Sequence, residues 1–149
     1  MYNNLGRREK GKIAEFQVIS KLISLGLDLY VPVIDIGIDC ILRTEKHAEP
    51  AKYYEIQIKS APYKNVSIRG AKKIIQFIDK KIPKNYFLVI ALRDNEKIKH
   101  VIYLTTEQIK KYIYPSPKAK EIDINVPARD RDLLVKSQPI ESLIAKLES

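Results

Sequence analysis

The sequence predicts an α/β fold in which helices flank a mixed β-sheet. Three observations support this prediction. The apolar residues of Arg7–Leu25 recur at three- and four-residue intervals, as in an amphipathic helix. The segment Gly37–Ser60 alternates apolar and polar residues on both sides of a polar stretch, which is typical of a β-hairpin. The segment Tyr86–Leu92 is continuously apolar and of strand length, which indicates an interior strand covered on both faces.

The first predicted helix spans Arg7–Leu25, and Gly26 is placed to end it because glycine readily adopts the left-handed conformation found after helices. The apolar positions that recur along this helix are Ile13, Phe16, Ile19, Leu22 and Ile23. A first strand is predicted over Leu27–Ile34, where Pro32 indicates an edge position or an irregularity.

The hairpin that follows has one apolar and one polar face, with a loop over Thr44–Ala51. The predicted apolar face consists of Ile36, Ile38, Cys40 and Leu42 on one strand and Tyr54, Ile56 and Ile58 on the other. The other face carries Gly37, Asp39, Ile41 and Arg43 opposite Glu55, Gln57 and Lys59. If the two strands pair, Asp39 lies near Gln57 and Lys59.

The rest of the chain is assigned from the same periodicities. The predicted elements are a strand over Asn65–Arg69, a helix over Ala71–Ile82, strands over Tyr86–Leu92 and Ile98–Leu104 joined by a turn at Arg93–Lys97, a helix capped by Thr105 or Thr106, a strand over Ile122–Val126, a polar loop with Arg129, Asp130, Arg131 and Asp132, and a terminal helix over Pro139–Leu147.

A length of 149 residues with 45% hydrophobic and 30% charged residues indicates a single soluble globular domain. No apolar run is long enough to cross a bilayer, and the N-terminus lacks the apolar stretch of a signal peptide. We therefore expect no membrane association and a cytoplasmic, intracellular location. Cys40 is the single cysteine, so it forms no internal disulfide, and its position on the apolar face predicts a buried thiol.

The 27 Lys and Arg residues exceed the 18 Asp and Glu residues, giving a formal charge of +9. This excess favours a polyanionic partner such as nucleic acid, because neutralising phosphates releases counterions. The alternative is a surface charged only for solubility or thermal stability.

The polar face of the hairpin combines an acid, an amide oxygen and an ammonium group in Asp39, Gln57 and Lys59. Magnesium binds through one or two carboxylates and other oxygen atoms, and a neighbouring lysine can orient or deprotonate the attacking water. Such a group suits phosphodiester cleavage. The alternative is that these residues are only the solvated face of an amphipathic hairpin.

Other kinds of site find little support in the sequence. The two histidines, His47 and His100, and the single cysteine argue against a structural zinc site or a histidine-metal nuclease. The sequence also lacks a GxxxxGK(S/T) phosphate-binding loop.

The chain resembles the PD-(D/E)XK nuclease superfamily, which has the restriction-endonuclease-like fold, over roughly its first ninety residues. The matching residues are Glu15 on the first helix, Gly37-Ile38-Asp39 at the start of one strand and Gln57-Ile58-Lys59 on the next. The resemblance implies that Asp39 and Gln57 are metal ligands, that Lys59 is the catalytic lysine, and that Glu15 belongs to the active site. The N-terminal sequence GRREKGKIAEF is also similar to that of archaeal Holliday-junction resolvases in this superfamily.

Two residues depart from the family pattern. Ile38 replaces the proline of the motif, and Gln57 replaces the usual carboxylate, giving a Q-x-K variant. A neutral amide oxygen can ligate magnesium but contributes no charge. Glu55, two residues earlier on the same face, and Asp35, four residues before Asp39, are possible auxiliary acids.

The resemblance implies a Mg²⁺-dependent DNA endonuclease, with Mn²⁺ able to substitute, that acts on double-stranded or branched DNA. Its role would be that of a homing or restriction-type endonuclease or a Holliday-junction resolvase, and we expect a homodimer or higher homo-oligomer. Residues 1–114 would form the nuclease core and residues 115–149 a C-terminal extension of the same domain for DNA contact or oligomerisation. The expected DNA-binding residues are Arg7, Arg8, Lys10, Lys12, Lys72 and Lys73. The alternatives are an inactive nucleic-acid-binding module of the same fold and a structural subunit.

Overall fold

A computed structural model describes residues 4–34, 37–44, 50–69, 85–115 and 122–148. Its elements are α1 (Arg7–Ser24), β1 (Asp28–Tyr30), β2 (Cys40–Thr44), β3 (Lys52–Pro62), β4 (Val66–Ile68), β5 (Tyr86–Asp94), β6 (Lys97–Thr105), α2 (Thr106–Tyr112), β7 (Ile113–Pro115), β8 (Ile122–Val126), α3 (Ala128–Ser137), a 3₁₀ turn (Ile140–Ser142) and α4 (Leu143–Glu148). The predicted helix over Ala71–Ile82, together with Asp35, Lys72 and Lys73, lies outside the described residues.

A five-stranded mixed sheet forms the centre of the fold, with the strand order β1-β2-β3-β5-β6. Strands β1, β2 and β3 pair antiparallel, β3 and β5 pair parallel, and β5 and β6 pair antiparallel. Every residue of Tyr86–Leu92 is buried, as expected for an interior strand with helices or a second sheet on each face. The predicted fold class, a mixed sheet flanked by helices, is confirmed.

A second, three-stranded antiparallel sheet was not predicted. Its order is β4-β8-β7, so β8 from the C-terminal part of the chain is the central strand. Ile124 pairs with Ile68 on one side and with Ile113 on the other. The three strands have at most five residues each, and such short segments carry too little alternation to reveal their partners.

Two hydrophobic cores lie on opposite faces of the five-stranded sheet. One core joins α1, the apolar face of the β2–β3 hairpin and the C-terminal residues Ile140, Leu143 and Leu147. The other core joins alternate residues of β5 and β6 to α2, α3 and the second sheet. Cys40 is fully buried in the first core, as predicted.

Helix α1 agrees with its predicted extent but buries a different set of residues. Its buried side chains are Ala14, Val18, Ile19 and Leu22. Phe16 and Ile23 are more than half exposed, because they lie on the opposite side of the helix from the sheet. Gly26 follows the helix with a φ of +79°, which confirms its predicted role in ending it. No helix among the described residues is both long and apolar enough to span a bilayer.

Several predicted boundaries are wrong. The polar segment around Arg129–Asp132 is not a loop but the first part of α3. Only Leu134 of that helix is buried, so its apolar residues do not recur with a recognisable helical period. Asp130 in the first turn and Lys136 in the last turn have the charges that the helix dipole favours. Strand β1 is limited to Asp28–Tyr30 at the sheet edge, and β2 begins at Cys40.

Candidate active site

Asp39 is held against β3 at the point where β2 begins. In the antiparallel register, Cys40 faces Ile56 and Ile41 faces Glu55. The Asp39 N–H donates a hydrogen bond of 2.9 Å to the Ile56 carbonyl, and the Ile58 N–H donates one of 2.5 Å to Asp39 Oδ2. The two bonds fix the carboxylate beside the segment that carries Gln57 and Lys59.

Three charged side chains lie close enough to Asp39 to influence its pKa. Burial raises the pKa of Asp39, and the hydrogen bond from Ile58 opposes that effect. The Glu15 carboxylate also raises the pKa, whereas the cationic side chains of Lys59 and Lys12 lower it. The net result is a pKa above the ordinary value, since burial is the largest effect. The structure therefore places Glu15 of α1 and Lys59 of β3 close enough to Asp39 for their charges to act on it.

Gln57 is almost fully buried on the face of β3 that carries Lys59. The Tyr86 hydroxyl donates a hydrogen bond of 2.6 Å to Gln57 Oε1. The contact arises because β3 and β5 are parallel, with Glu55 level with Tyr86 and Gln57 level with Leu88. Tyr86 thus orients the amide oxygen, which retains a second lone pair for another donor or a cation. Burial and the charges of Asp39 and Glu55 raise the pKa of Tyr86, so its hydroxyl stays protonated and keeps donating.

Glu15 is held by a neighbour on the same helix. Lys12 Nζ lies 2.7 Å from Glu15 Oε1, one turn earlier on α1. The Glu15 side chain is only 15% exposed, whereas that of Lys12 is 59% exposed. Lys12, one of the expected DNA-binding residues, pairs with this acid and is mostly exposed, so its contact with DNA stays a prediction. Arg7 and Arg8 are exposed at the start of α1, and Lys10 is half-buried.

The structure describes Glu55 but not Asp35, the two acids that the sequence offers as possible auxiliary site residues. Glu55 lies on the same face of β3 as Gln57 and is half-buried, and its charge acts on the Tyr86 hydroxyl. Asp35 lies outside the described residues. In the segments that the structure describes, no group of three or more His, Cys, Asp and Glu side chains is arranged to hold a metal ion.

The donor set fits a hard divalent cation. Asp39 and Glu15 are carboxylates whose mutual repulsion raises the pKa of Asp39, and a cation between them would offset that repulsion. The amide oxygen of Gln57 is a neutral oxygen donor on the polar face of β3, whereas α1, which carries Glu15, packs against the opposite face. Carboxylate and amide oxygens are the ligand types that Mg²⁺ prefers, and it retains water molecules in its other positions.

Tyr86 was missed as a site residue because it stands in the apolar run Tyr86–Leu92, where a strand position explained it fully. A tyrosine in a strand that is buried on both faces could have indicated a polar contact, since a buried tyrosine hydroxyl usually has a hydrogen-bond partner.

Replacing Tyr86 with phenylalanine (Tyr86→Phe) should lower the free energy of unfolding by about 1–3 kcal/mol, because it leaves a buried amide oxygen without its donor. Denaturant unfolding followed by circular dichroism measures this change. Tyr103→Phe is the matched control, since Tyr103 is also buried but its hydroxyl accepts only a long hydrogen bond, 3.4 Å from Ser142 Oγ. Equal losses in the two variants would contradict a specific contribution of the Tyr86–Gln57 bond.

The chain matches no family model and no curated protein. Solved structures that are similar to it include the bacterial homing endonuclease I-Ssp6803I. The superposition has a TM-score of 0.56 and 13% sequence identity, and it covers 97% of this chain and 95% of the other. At this identity, the comparison establishes that the chain shares the fold of a homing endonuclease over nearly the full length of both proteins.

Proposed function

We propose that this protein is a Mg²⁺-dependent DNA endonuclease whose active site comprises Asp39, Gln57, Lys59 and Glu15. The observation that carries the proposal is the position of Asp39, which hydrogen bonds of 2.9 Å to the Ile56 carbonyl and 2.5 Å from the Ile58 N–H hold against β3, the strand of Gln57 and Lys59. A second carboxylate, Glu15, and an ammonium group, Lys59, act on one half-buried acid, and Gln57 lies on the same face of β3 as Lys59. Paired acids with an adjacent lysine are the groups that metal-assisted phosphodiester hydrolysis needs.

The residues have separate roles in this proposal. Asp39 and Gln57 would hold the cation through oxygen atoms, and Glu15 would add negative charge near Asp39. When bound, the cation supplies positive charge to the phosphate and lowers the pKa of water. The Lys59 ammonium group would orient the attacking water by donating a hydrogen bond to it, and its charge would offset that which builds on the phosphate. Tyr86 positions the amide of Gln57.

Three further observations support a DNA substrate. The formal charge is +9, and α1 begins with the exposed residues Arg7 and Arg8, about two helical turns before Glu15. The fold is also that of the homing endonuclease I-Ssp6803I, which favours a sequence-specific, homing-type enzyme over a junction resolvase. Because one such site cuts one strand, cleavage of both strands requires a homodimer or a higher homo-oligomer.

The second candidate function is a module that binds nucleic acid without cutting it. The neutral amide at Gln57 favours this alternative, because the site loses one charge relative to a pair of carboxylate ligands and part of the amide oxygen's capacity is taken by Tyr86. The two candidates differ in one measurable property, which is metal-dependent hydrolysis.

Incubation of the full chain with plasmid, linear and four-way-junction DNA tests the proposal. We expect nicked or linear products in the presence of Mg²⁺, continued cleavage when Mn²⁺ replaces Mg²⁺, and no products after EDTA removes the metal. Binding of the same DNA without cleavage in either metal would instead establish the non-catalytic module.

A further inference from the structure

The turn between β5 and β6 is short. Asp94 pairs with Lys97, so only Asn95 and Glu96 form the loop of this hairpin. Asn95 has a φ of +55°, a left-handed conformation that asparagine tolerates better than most residues. The cationic side chains of Arg93 and Lys97 therefore flank a two-residue turn.

Lys99 occupies a β-bulge next to this turn. The register passes from Arg93 opposite Ile98 to Leu92 opposite His100, so Lys99 is the extra residue. A bulge redirects the side chain of the inserted residue, and bulges are frequent next to active sites. Here Lys99 Nζ lies 4.9 Å from the centre of the Tyr63 ring and 3.8 Å from Asp94 Oδ2.

The turn and the bulge line one side of a groove whose other side is the beginning of α1. The groove has a volume of about 1060 Å³ and is lined by Lys10, Arg93, Asp94, Asn95, Glu96, Lys97, Ile98 and Lys99. Four of these side chains are cationic and two are carboxylates, so the lining carries a net positive charge. One of the carboxylates, Asp94, is already within ion-pair distance of Lys99.

The groove lies at the same end of the sheet as the candidate active site. Lys59 is level with Ile90 on β5, and Arg93 follows three residues later, which is about 10 Å along the strand. On α1, Lys10 precedes Glu15 by five residues, or about 7.5 Å along the helix axis. These distances correspond to only a few phosphates of duplex DNA, which carries one charge per about 1.7 Å of its axis.

We propose that this groove binds the backbone of duplex DNA beside the scissile phosphate, with Lys10, Arg93, Lys97 and Lys99 contacting phosphate oxygens. The inference rests on the proposed function, because it places the groove relative to the nuclease site. Phosphate contacts position the duplex without reading its sequence. The hairpin between β5 and β6 would therefore set the orientation of the DNA, while base recognition belongs to other residues.

The salt dependence of DNA binding tests this proposal. The probe is a short, fluorescein-labelled duplex of arbitrary sequence, titrated with the full chain in EDTA at several salt concentrations. A plot of log Kobs against log salt has a negative slope, and each lost phosphate contact reduces the magnitude of that slope by about 0.9. We expect the magnitude of the slope to decrease by about 2 for Lys97→Ala/Lys99→Ala and by about 1 for Lys97→Ala alone. The Lys97 side chain is exposed, so its replacement should not disturb the core.

The matched control is Lys52→Ala/Lys110→Ala. Lys52 starts β3 and Lys110 lies on α2, so both are at the opposite end of the sheet from the groove, and both are exposed. We expect the wild-type slope for this control. An unchanged slope in the groove variants, an equal decrease in the control, or no duplex binding by the wild-type protein would overturn the proposal.

The cleavage assay with Mg²⁺ separates this inference from the proposed function. If the wild-type protein binds DNA without cutting it, and the groove variants show a slope of smaller magnitude, the proposed nuclease activity is contradicted. The proposed DNA binding in the groove would still be supported. Cleavage by a wild-type protein whose groove variants show no change of slope would support the nuclease and overturn the groove.

Discussion

Replacing Asp39 with asparagine (Asp39→Asn) should abolish Mg²⁺-dependent cleavage and at the same time stabilise the protein at neutral pH. Asparagine keeps an oxygen that can accept the Ile58 N–H, but it removes the charge that would hold the cation. The same change removes a half-buried carboxylate whose ionisation is disfavoured by burial and by Glu15. Cleavage of plasmid DNA and thermal unfolding of both proteins at pH 7 measure the two effects.

The stabilisation should depend on pH in a defined direction. Because the folded-state pKa of Asp39 lies above its ordinary value of 3.8, the folded chain holds a proton that the unfolded chain has already lost. The stability of the wild-type protein therefore falls as the pH rises from 3.8 through the folded-state pKa, and it stays lower above that range. Asparagine does not titrate, so the advantage of Asp39→Asn should narrow as the pH falls toward 3.8.

Asp28→Asn provides the control for the stability measurement. Asp28 is more than half exposed on β1, 3.9 Å from Arg43, so its replacement should change the melting temperature little at any pH. A stabilisation of Asp39→Asn that is independent of pH, or one that Asp28→Asn shares, would contradict the assignment of the effect to the Asp39 carboxyl.

Replacing Lys59 with alanine (Lys59→Ala) should reduce the rate of cleavage by about 10²–10⁴-fold, the usual contribution of a positioned acid or base. DNA binding should change little, because the phosphate contacts lie elsewhere on the protein. Loss of the ammonium group also removes a charge that lowers the pKa of Asp39, so any residual activity should require a higher pH. Single-turnover rates measured across a pH series test both statements.

Lys52→Ala is the matched control because it removes the same group from the exposed first residue of the same strand. It should cleave DNA like the wild-type protein. If Lys59→Ala cleaves at the wild-type rate, Lys59 is not the catalytic lysine. If both variants lose cleavage equally, the effect comes from overall charge rather than from the site.

The local geometry of the hairpin follows directly from the sequence. Alternation places Gln57 and Lys59 on one face of β3, and antiparallel pairing brings Asp39 beside them. The end of α1 is equally local, since Gly26 alone explains it. Glu15 could be connected to Asp39 only through the family resemblance, because a helix period does not specify the strand on which it packs. The catalytic roles of these residues stay predictions.

The features that the sequence did not reveal depend on contacts between distant segments. The bond from Tyr86 to Gln57 requires the parallel pairing of β3 with β5, which no local pattern specifies. The groove combines Lys10 from α1 with cations from the β5–β6 turn, so its charge appears only once the two elements are adjacent. Helix α3 was mistaken for a loop because a helix that buries one leucine scarcely differs in pattern from a solvated segment.

The position of β8 between β4 and β7 has a consequence for the synthesis of the chain. While the polypeptide leaves the ribosome, β4 and β7 both await a partner that is translated later than either of them. Their unpaired backbone groups are then open to association with other nascent chains. The three-stranded sheet can therefore form only after β8 has been synthesised, and β4, the first of the three strands in the sequence, stays unpaired the longest.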